Sequence, residues 1–220
     1  MNTLTKLALG LMGQLTARPA RGNSVPSLVL PPPDEPGGMS LMQALRQRQS
    51  QREFSTQPLP KTLLGGLLWA AAGVNRPSLG GRTAPSALNS QEVDVFVALP
   101  SGLYLYDPAA HALRLEVASD VRAITGYQDF SDEAALDLVF VADHRRMHLV
   151  PAAQREAYAY IAAGAMAQNV YLYCAAQGLA TVIRAWIDRH ALSQAMDLGA
   201  DQQVLLAQTV GYPKPASAGD

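Results

Sequence analysis

Apolar residues along the chain follow two rhythms, one near 3.6 residues and one of two, and polar or proline-rich stretches separate them. Ser40 precedes Leu41, Met42 and Leu45, which predicts an N-capped helix to about Gln49 with those three side chains facing inward. Pro60 suits the first position of a second helix, ending near Ala72 where Gly73 stops it. Val93, Val95 and Val97 alternate with Asp94 and Phe96, and Leu103-Tyr104-Leu105-Tyr106 follows Gly102, which reads as a hairpin with Asp107-Pro108 as the next turn. The nearly unbroken apolar run 137–142 reads as a buried strand. A long helix from about Pro151 to Gln177 follows, closed by Gly178. Residues 189–197 read as a short helix and 203–210 as a central strand ending at Gly211. Helices and strands mix without regular βαβ alternation, so the class is α+β.

Between these elements, residues 23–38 carry Pro26, Pro31, Pro32, Pro33, Pro36, Gly37 and Gly38 and read as an extended connector outside the core. Residues 76–91 read as one long polar loop, and a loop of that size in a compact domain is usually functional. Residues 39–214 form one domain, with a short tail at 215–220.

The composition narrows the function. Of the 220 residues, 49% are hydrophobic and only 16% charged, which argues against disorder and points to surface covered by a partner subunit, a ligand or both. A net charge of −1 provides no electrostatic footprint for nucleic acid. Cys174 is the single cysteine and sits in an Ala-rich stretch, so there is no internal disulfide or multi-cysteine metal site, and the thiol reads as a small buried hydrophobe. His144 and His148 have i, i+4 spacing, but the intervening Arg145-Arg146-Met147 lacks the Glu of a zincin motif, so no metal is expected.

Residues 1–22 read either as a secretory signal, with 7–13 as its apolar core after Lys6, or as a short N-terminal helix. Cytoplasmic location is favoured, with the periplasm implied if a signal is present. From Ala157 to Ile183 there are 27 consecutive uncharged residues, long enough to span a bilayer. Their Ala and Gly content, and the polar Gln168, Asn169 and Gln177, favour a helix buried within a protein or a dimer over an integral membrane span.

Two segments carry candidate chemistry. Arg48, Ser50 and Arg52 alternate just past the first helix, and extended chain would put all three on one face. Two guanidinium forks and a hydroxyl suit a phosphate; a solvated basic turn is the alternative. Pro85-Ser86-Ala87-Leu88-Asn89-Ser90-Gln91 offers amides and hydroxyls that both donate and accept. Such groups suit the uracil-like edge and ribityl hydroxyls of a flavin, or simply an ordinary turn.

Together these segments resemble the nitroreductase superfamily of FMN-dependent oxidoreductases. Arg-x-Ser-x-Arg-x-Phe at 48–54 is similar to that family's phosphate-binding opening, and Pro-Ser-x-x-Asn-Ser-Gln at 85–91 to its flavin-contacting loop. Residues 178–192 resemble the stretch after the family's long central helix, and Gly211-Tyr212-Pro213 its closing motif. The resemblance spans about residues 39–214, and the Gly102–Asp107 hairpin resembles the SagB-like branch of azoline-oxidising dehydrogenases.

The resemblance implies a central, mostly antiparallel mixed sheet flanked by helices, in an interlocked homodimer with FMN at the interface. It assigns Arg48, Ser50 and Arg52 to the FMN phosphate and ribityl chain, with Lys214 a further phosphate candidate near Gly211. Asn89 and Gln91 would contact the flavin, with Pro85, Ser86 and Ala87 lining the ring from the opposite subunit. Backbone donors near Ala185 and Trp186 would face flavin N5, so no side-chain acid or base is required. The chain departs from many relatives in having Ala185-Trp186 where they carry an acidic residue and Gly, and Glu92-Val93 where an aromatic often follows. Trp186 would narrow the substrate face or pack inward, and Arg184 would bind an anion or form a structural salt bridge, with Asp188 as the expected partner. The implied activity is ping-pong hydride transfer from NAD(P)H to a nitroaromatic, quinone or similar acceptor. The alternatives are a SagB-like dehydrogenase acting on a specific, peptide-derived substrate and a non-catalytic flavin-binding homodimer.

Overall fold

The computed structural model describes residues 28–34 and 38–215, so the reading of residues 1–22, part of the connector and most of the tail lie outside the described residues. In chain order the elements are β1 (Leu28–Val29), α1 (Leu41–Gln47), α2 (Lys61–Ala72), β2 (Val74–Arg76), β3 (Gly81–Arg82), β4 (Val93–Leu99), β5 (Gly102–Asp107) and β6 (Ala112–Val117). They continue with β7 (Leu136–Asp143), α3 (Ala152–Gln177), β8 (Ala180–Arg184), α4 (Arg189–Ala195) and β9 (Gln202–Gly211).

The expected α+β class holds. Seven strands form one sheet in the order β1-β6-β5-β4-β7-β9-β8, and β2 and β3 form a separate pair. Every pairing in the large sheet is antiparallel, so among the described residues the sheet is wholly antiparallel and not mixed as expected. β7 and β8 run in the same direction, joined by α3, but β9 inserts between them and meets each antiparallel.

The core lies on both faces of this sheet. Leu136, Leu138, Phe140 and Ala142 of β7 join α2 and α3 in one cluster, while Val139 and Val141 face the other way, towards Leu192 and Met196 at α4. β4 is covered on both faces too: Val93, Val95 and Val97 join the first cluster and Phe96 and Ala98 the second. Burial on both faces explains the unbroken apolar run of β7 and makes Phe96 a core residue rather than a solvent-facing one.

Local chemistry sets the helix ends. Ser40 caps α1 in a capping box with Gln43. Gly73 ends α2, and Gly178 ends α3 in the left-handed conformation at φ 66°. α3 buries Ala159, Ala162, Ala163, Met166, Ala167 and Val170, mostly small side chains that let it lie close to its neighbours. At the α2–α3 crossing the Tyr173 hydroxyl occupies the space a Cβ on Gly66 would need and donates to the Leu63 carbonyl at 3.2 Å. Among the described residues no helix is long and apolar enough to cross a membrane.

Three expectations change. Leu41, Met42 and Leu45 do not face inward: they are 63%, 73% and 44% exposed, and Ala44 is the buried residue of α1. The connector is extended, but Leu28–Val29 pairs with β6 and Leu30 is buried, held by its amide on the His111 carbonyl. The 76–91 stretch is not one loop. The β2–β3 pair extends into it, and two short 3-10 turns at Pro77–Leu79 and Ala87–Asn89 fill much of the rest.

Candidate functional site

Backbone pairing at the end of α1 and around the C-terminal strand gathers the basic residues. The Gln51 amide donates to the Thr181 carbonyl of β8 at 3.0 Å, Ser55 to Tyr212 at 2.9 Å, and Lys214 to the Glu53 carbonyl at 3.1 Å. Phe54 bridges Pro213, and its ring is buried. These contacts hold residues 51–55 against 212–214 and bring Arg52 and Lys214 to the rim of one cavity of about 290 Å³, shared with Gln51, Glu53 and Pro213. Both side chains are exposed there. Gly211, expected near the cofactor, is buried under Phe54, which would lie 3.3 Å from an added Cβ; its role is to let this segment close on the sheet.

Arg48 and Ser50 meet on α3. The Arg48 guanidinium lies 5.3 Å from the centroid of the Tyr171 ring, and the Ser50 hydroxyl is 2.8 Å from the Tyr171 hydroxyl. That phenol oxygen also accepts the Ile183 amide of β8 at 3.0 Å. Tyr171 therefore joins the basic segment, the long helix and the strand leading to Ala185. Sequence reasoning passed it over because it lies in the Ala-rich uncharged run, where a phenol resembles any other core aromatic. The available signal was its polar tip on a helix face otherwise made of small residues. A second cavity of about 140 Å³, lined by Gln49, Gln51, Tyr171, Ala175 and Thr181 among others, opens beside it.

The 85–91 segment stands on different supports. Leu88, Asn89 and Gln91 all have positive φ, of 51°, 55° and 50°, and Leu88 is a bulky residue there, so strain is concentrated in four positions. Surrounding bonds hold it. The Gln91 amide nitrogen of the side chain donates to the Gly80 carbonyl at 2.6 Å, and the Ser90 hydroxyl lies 2.7 Å from both the Ala87 carbonyl and the Glu92 carboxylate, with one proton to share between them. The Gln91 backbone amide donates to the Ser86 hydroxyl at 3.0 Å. Beneath, buried Arg146 donates to the Gln91 carbonyl at 2.9 Å and forks onto Asp94 at 2.8 and 2.6 Å. Gln91, expected at the flavin, is 2% exposed and braces the loop from inside. Pro85 and Leu88 are exposed and Ser86, Ala87 and Asn89 half-buried, so these are the members of the motif that an incoming group can reach.

Glu92 and Arg82 lie beside this brace, both buried. Burial pushes the Glu92 carboxyl above its ordinary range, against the pull of the Ser90 hydroxyl and of Arg146 and Arg82. Burial likewise lowers Arg82 to about 10, with Asp94 acting in the opposite direction.

At the end of β8 the expected Arg184–Asp188 pair is absent. Arg184 is buried and pairs with Asp137 at 2.5 Å, donates to Thr125 at 2.8 Å and lies 5.9 Å over the Phe130 ring. Asp188 instead caps α4 by accepting the Ala191 amide. Arg184 cannot reach a substrate from there. Trp186 does not pack inward: it is 71% exposed, tilted against Tyr127 with ring centroids 5.3 Å apart. Ala185 is exposed beside it, beyond the last strand pair, Arg184 with Ala207.

The remaining candidates are structural. Cys174 is fully buried, and burial pushes its thiol well above the ordinary range. His144 sits in a 3-10 turn, not a helix, with its Nε2 2.8 Å from Gln203, and among the described residues no group of three or more His, Cys, Asp or Glu could hold a metal.

Comparison with known proteins bears on this geometry. Residues 45–212 match the model of the Nitroreductase family. A Methanocaldococcus jannaschii protein assigned as a nitroreductase is 30% identical over 154 residues, covering 66% of this chain and 77% of that one. A crystal structure from Ralstonia eutropha, also assigned as a nitroreductase, is 52% identical, with a TM-score of 0.83 over 92% of this chain and 96% of that one. A Desulfovibrio desulfuricans protein of the same assignment, solved in complex with FMN, is 24% identical, with a TM-score of 0.59 over 83% of this chain and 91% of that one, a likeness of fold alone.

Proposed function

This chain belongs to the nitroreductase family of oxidoreductases, and from that premise we propose that it is a homodimeric FMN-dependent enzyme moving hydride from NAD(P)H to a nitroaromatic, quinone or similar acceptor. The observation that carries the reading is the basic rim. The 51–55 backbone pairing brings Arg52 beside Lys214, remote in sequence, on one cavity, and Arg48 and Ser50 just before it are held on Tyr171 next to β8.

The donor set fits FMN. The guanidiniums and the ammonium match a phosphate, with exposed Arg52 and Lys214 free to turn towards it and Arg48 held on an aromatic face. Ser50, tied to Tyr171, can turn its hydroxyl to a ribityl oxygen. Pro85, Ser86, Ala87 and Asn89 present a firm, mostly backbone-and-hydroxyl surface suited to the edge or face of a planar ring. The strained, over-braced geometry of that loop means little reorganisation on binding. Bound FMN would supply a ring that takes up a hydride from NAD(P)H and then gives it to the acceptor.

The protein's part is orientation and electrostatics. The amides of Ala185 and Trp186, beyond the strand ladder, can favour the reduced ring without a titrating side chain. Arg184 contributes no charge to the substrate face because Asp137 neutralises it in the interior. The exposed apolar residues of α1, together with Ile161 of α3 at 65% exposure, are the surface that a second copy would cover.

The test is steady-state oxidation of NADH and NADPH by the FMN-replete protein with menadione as acceptor. Rapid consumption with parallel-line, ping-pong kinetics is expected. A yellow protein that leaves both nicotinamides untouched would instead be a dehydrogenase for a dedicated substrate; one that turns over no acceptor from any donor would be a flavin-binding dimer.

A further inference from the structure

Trp186 and Tyr127 leave large aromatic surfaces in water, at 71% and 55% exposure, although the interior is otherwise well packed. Isolated exposed aromatics need no explanation, but these two touch, with centroids 5.3 Å apart and planes at 47°. They come from segments remote in sequence and are mounted on one buried pivot. Arg184 holds Thr125 at 2.8 Å and Gln128 at 3.3 Å on the 125–130 turn, and pairs with Asp137 behind it. Gly126 is required at the crossing, because a Cβ there would overlap the Arg184 guanidinium. Tyr127 follows Gly126 directly and Trp186 lies two residues past Arg184, so the pivot fixes the two rings relative to each other.

We propose that Trp186 and Tyr127 form a stacking platform for planar ring acceptors that are neutral or cationic; this rests on the reading of Ala185–Trp186 as the edge of the flavin site. A cavity of about 420 Å³ opens on the Tyr127 side of the pair, lined by Tyr127, Gln128, Ser131 and the exposed carboxylates Asp129 and Asp132 but not by Trp186. The nearby cations offset those carboxylates only in small part: Arg184 is buried on Asp137, and Arg122 is bound to Asp120 and interacts with Asp132 more weakly. Aromatic faces and carboxylates together favour a neutral or positively charged ring and disfavour an anionic one. The firm mounting means that stacking does not require the loop to be ordered first.

The experiment compares menadione, a neutral planar quinone, with ferricyanide, which has no ring, using FMN-loaded wild type and the variants Tyr127→Ala, Trp186→Ala and Trp186→Phe. The ratio of kcat/KM for menadione over ferricyanide should fall about five- to tenfold in each alanine variant, mostly through KM, and recover in Trp186→Phe. Wild type should prefer menadione to a sulfonated naphthoquinone, and Asp129→Asn with Asp132→Asn should narrow that preference. Yellow alanine variants with an unchanged ratio would overturn the platform alone. A wild-type protein that cannot hold FMN would overturn the reading beneath it, and the platform with it.

Discussion

Arg184 and Asp137 show how much one buried pair can organise. Asp137 is fully buried and accepts from Arg184, Thr125 and Thr209, so four segments meet on one carboxylate. Removing only the cation leaves that carboxylate its two threonine donors but no counter-charge, and Arg184→Ala should destabilise by about 3–5 kcal/mol in chemical denaturation. Arg184→Met with Asp137→Asn should recover much of the loss, since no bare charge remains. Asp107 presents the opposite pH behaviour to Glu92. Burial pushes the Asp107 carboxyl up, but the Ala110 and Ala109 amides and Arg114 outweigh it and hold the net value low. Its contribution is present above the ordinary carboxylate range and lost as pH falls through the lowered folded value. Asp107→Asn should therefore cost about 1–3 kcal/mol at pH 7 and progressively less in acid. The raised Glu92 reverses the sign. Burial outweighs the attraction of Arg146 and Arg82, so ionising Glu92 in the folded protein costs stability. Glu92→Gln should leave the Tm unchanged or raised at pH 8, with the gain shrinking as pH falls towards 5.

Among the elements, those with chemical punctuation could be read directly from the chain. Ser40, Pro60, Gly73 and Gly178 marked helix ends because capping and left-handed turns need those residue types, and the α1, α2 and α3 boundaries fall within about two residues of them. β8 was hidden because its apolar run continues that of α3, with only Gly178 and Leu179 between them. A two-residue edge strand such as β1 carries no periodicity, whereas β6 does alternate, Leu113, Leu115 and Val117 against Arg114 and Glu116, a signal in the sequence that the reading leaves unused. The orientation of α1 was misread for a different reason. Periodicity alone does not distinguish an apolar stripe that packs on the core from one left at the surface. The site divides the same way: the basic motif and the Pro85–Gln91 loop were legible as residue types, whereas Tyr171, Arg146 and the true partner of Arg184 depend on contacts from 47 to 121 positions away. The exposed stripe makes its own prediction. Met42→Glu with Leu45→Glu should leave the helical circular dichroism intact and shift the species seen by light scattering from dimer to monomer, with loss of FMN.

At the scale of the whole molecule, one antiparallel sheet, covered on both faces, positions three groups of residues. The basic segment lies against the end of β8 and the 212–214 segment, the strained loop stands on buried Arg146, and the Trp186–Tyr127 pair stands on buried Arg184. The low proportion of charged residues, 16%, accords with the amount of surface this arrangement covers in the interior. The central claim is that Arg48 and Arg52 hold the anionic end of FMN. Its most direct test is the visible absorption of the purified wild type beside Arg48→Ala with Arg52→Ala, each with its circular dichroism. The wild type should carry stoichiometric FMN, and the double variant should be folded and colourless; a folded variant that keeps its full flavin band would contradict the account.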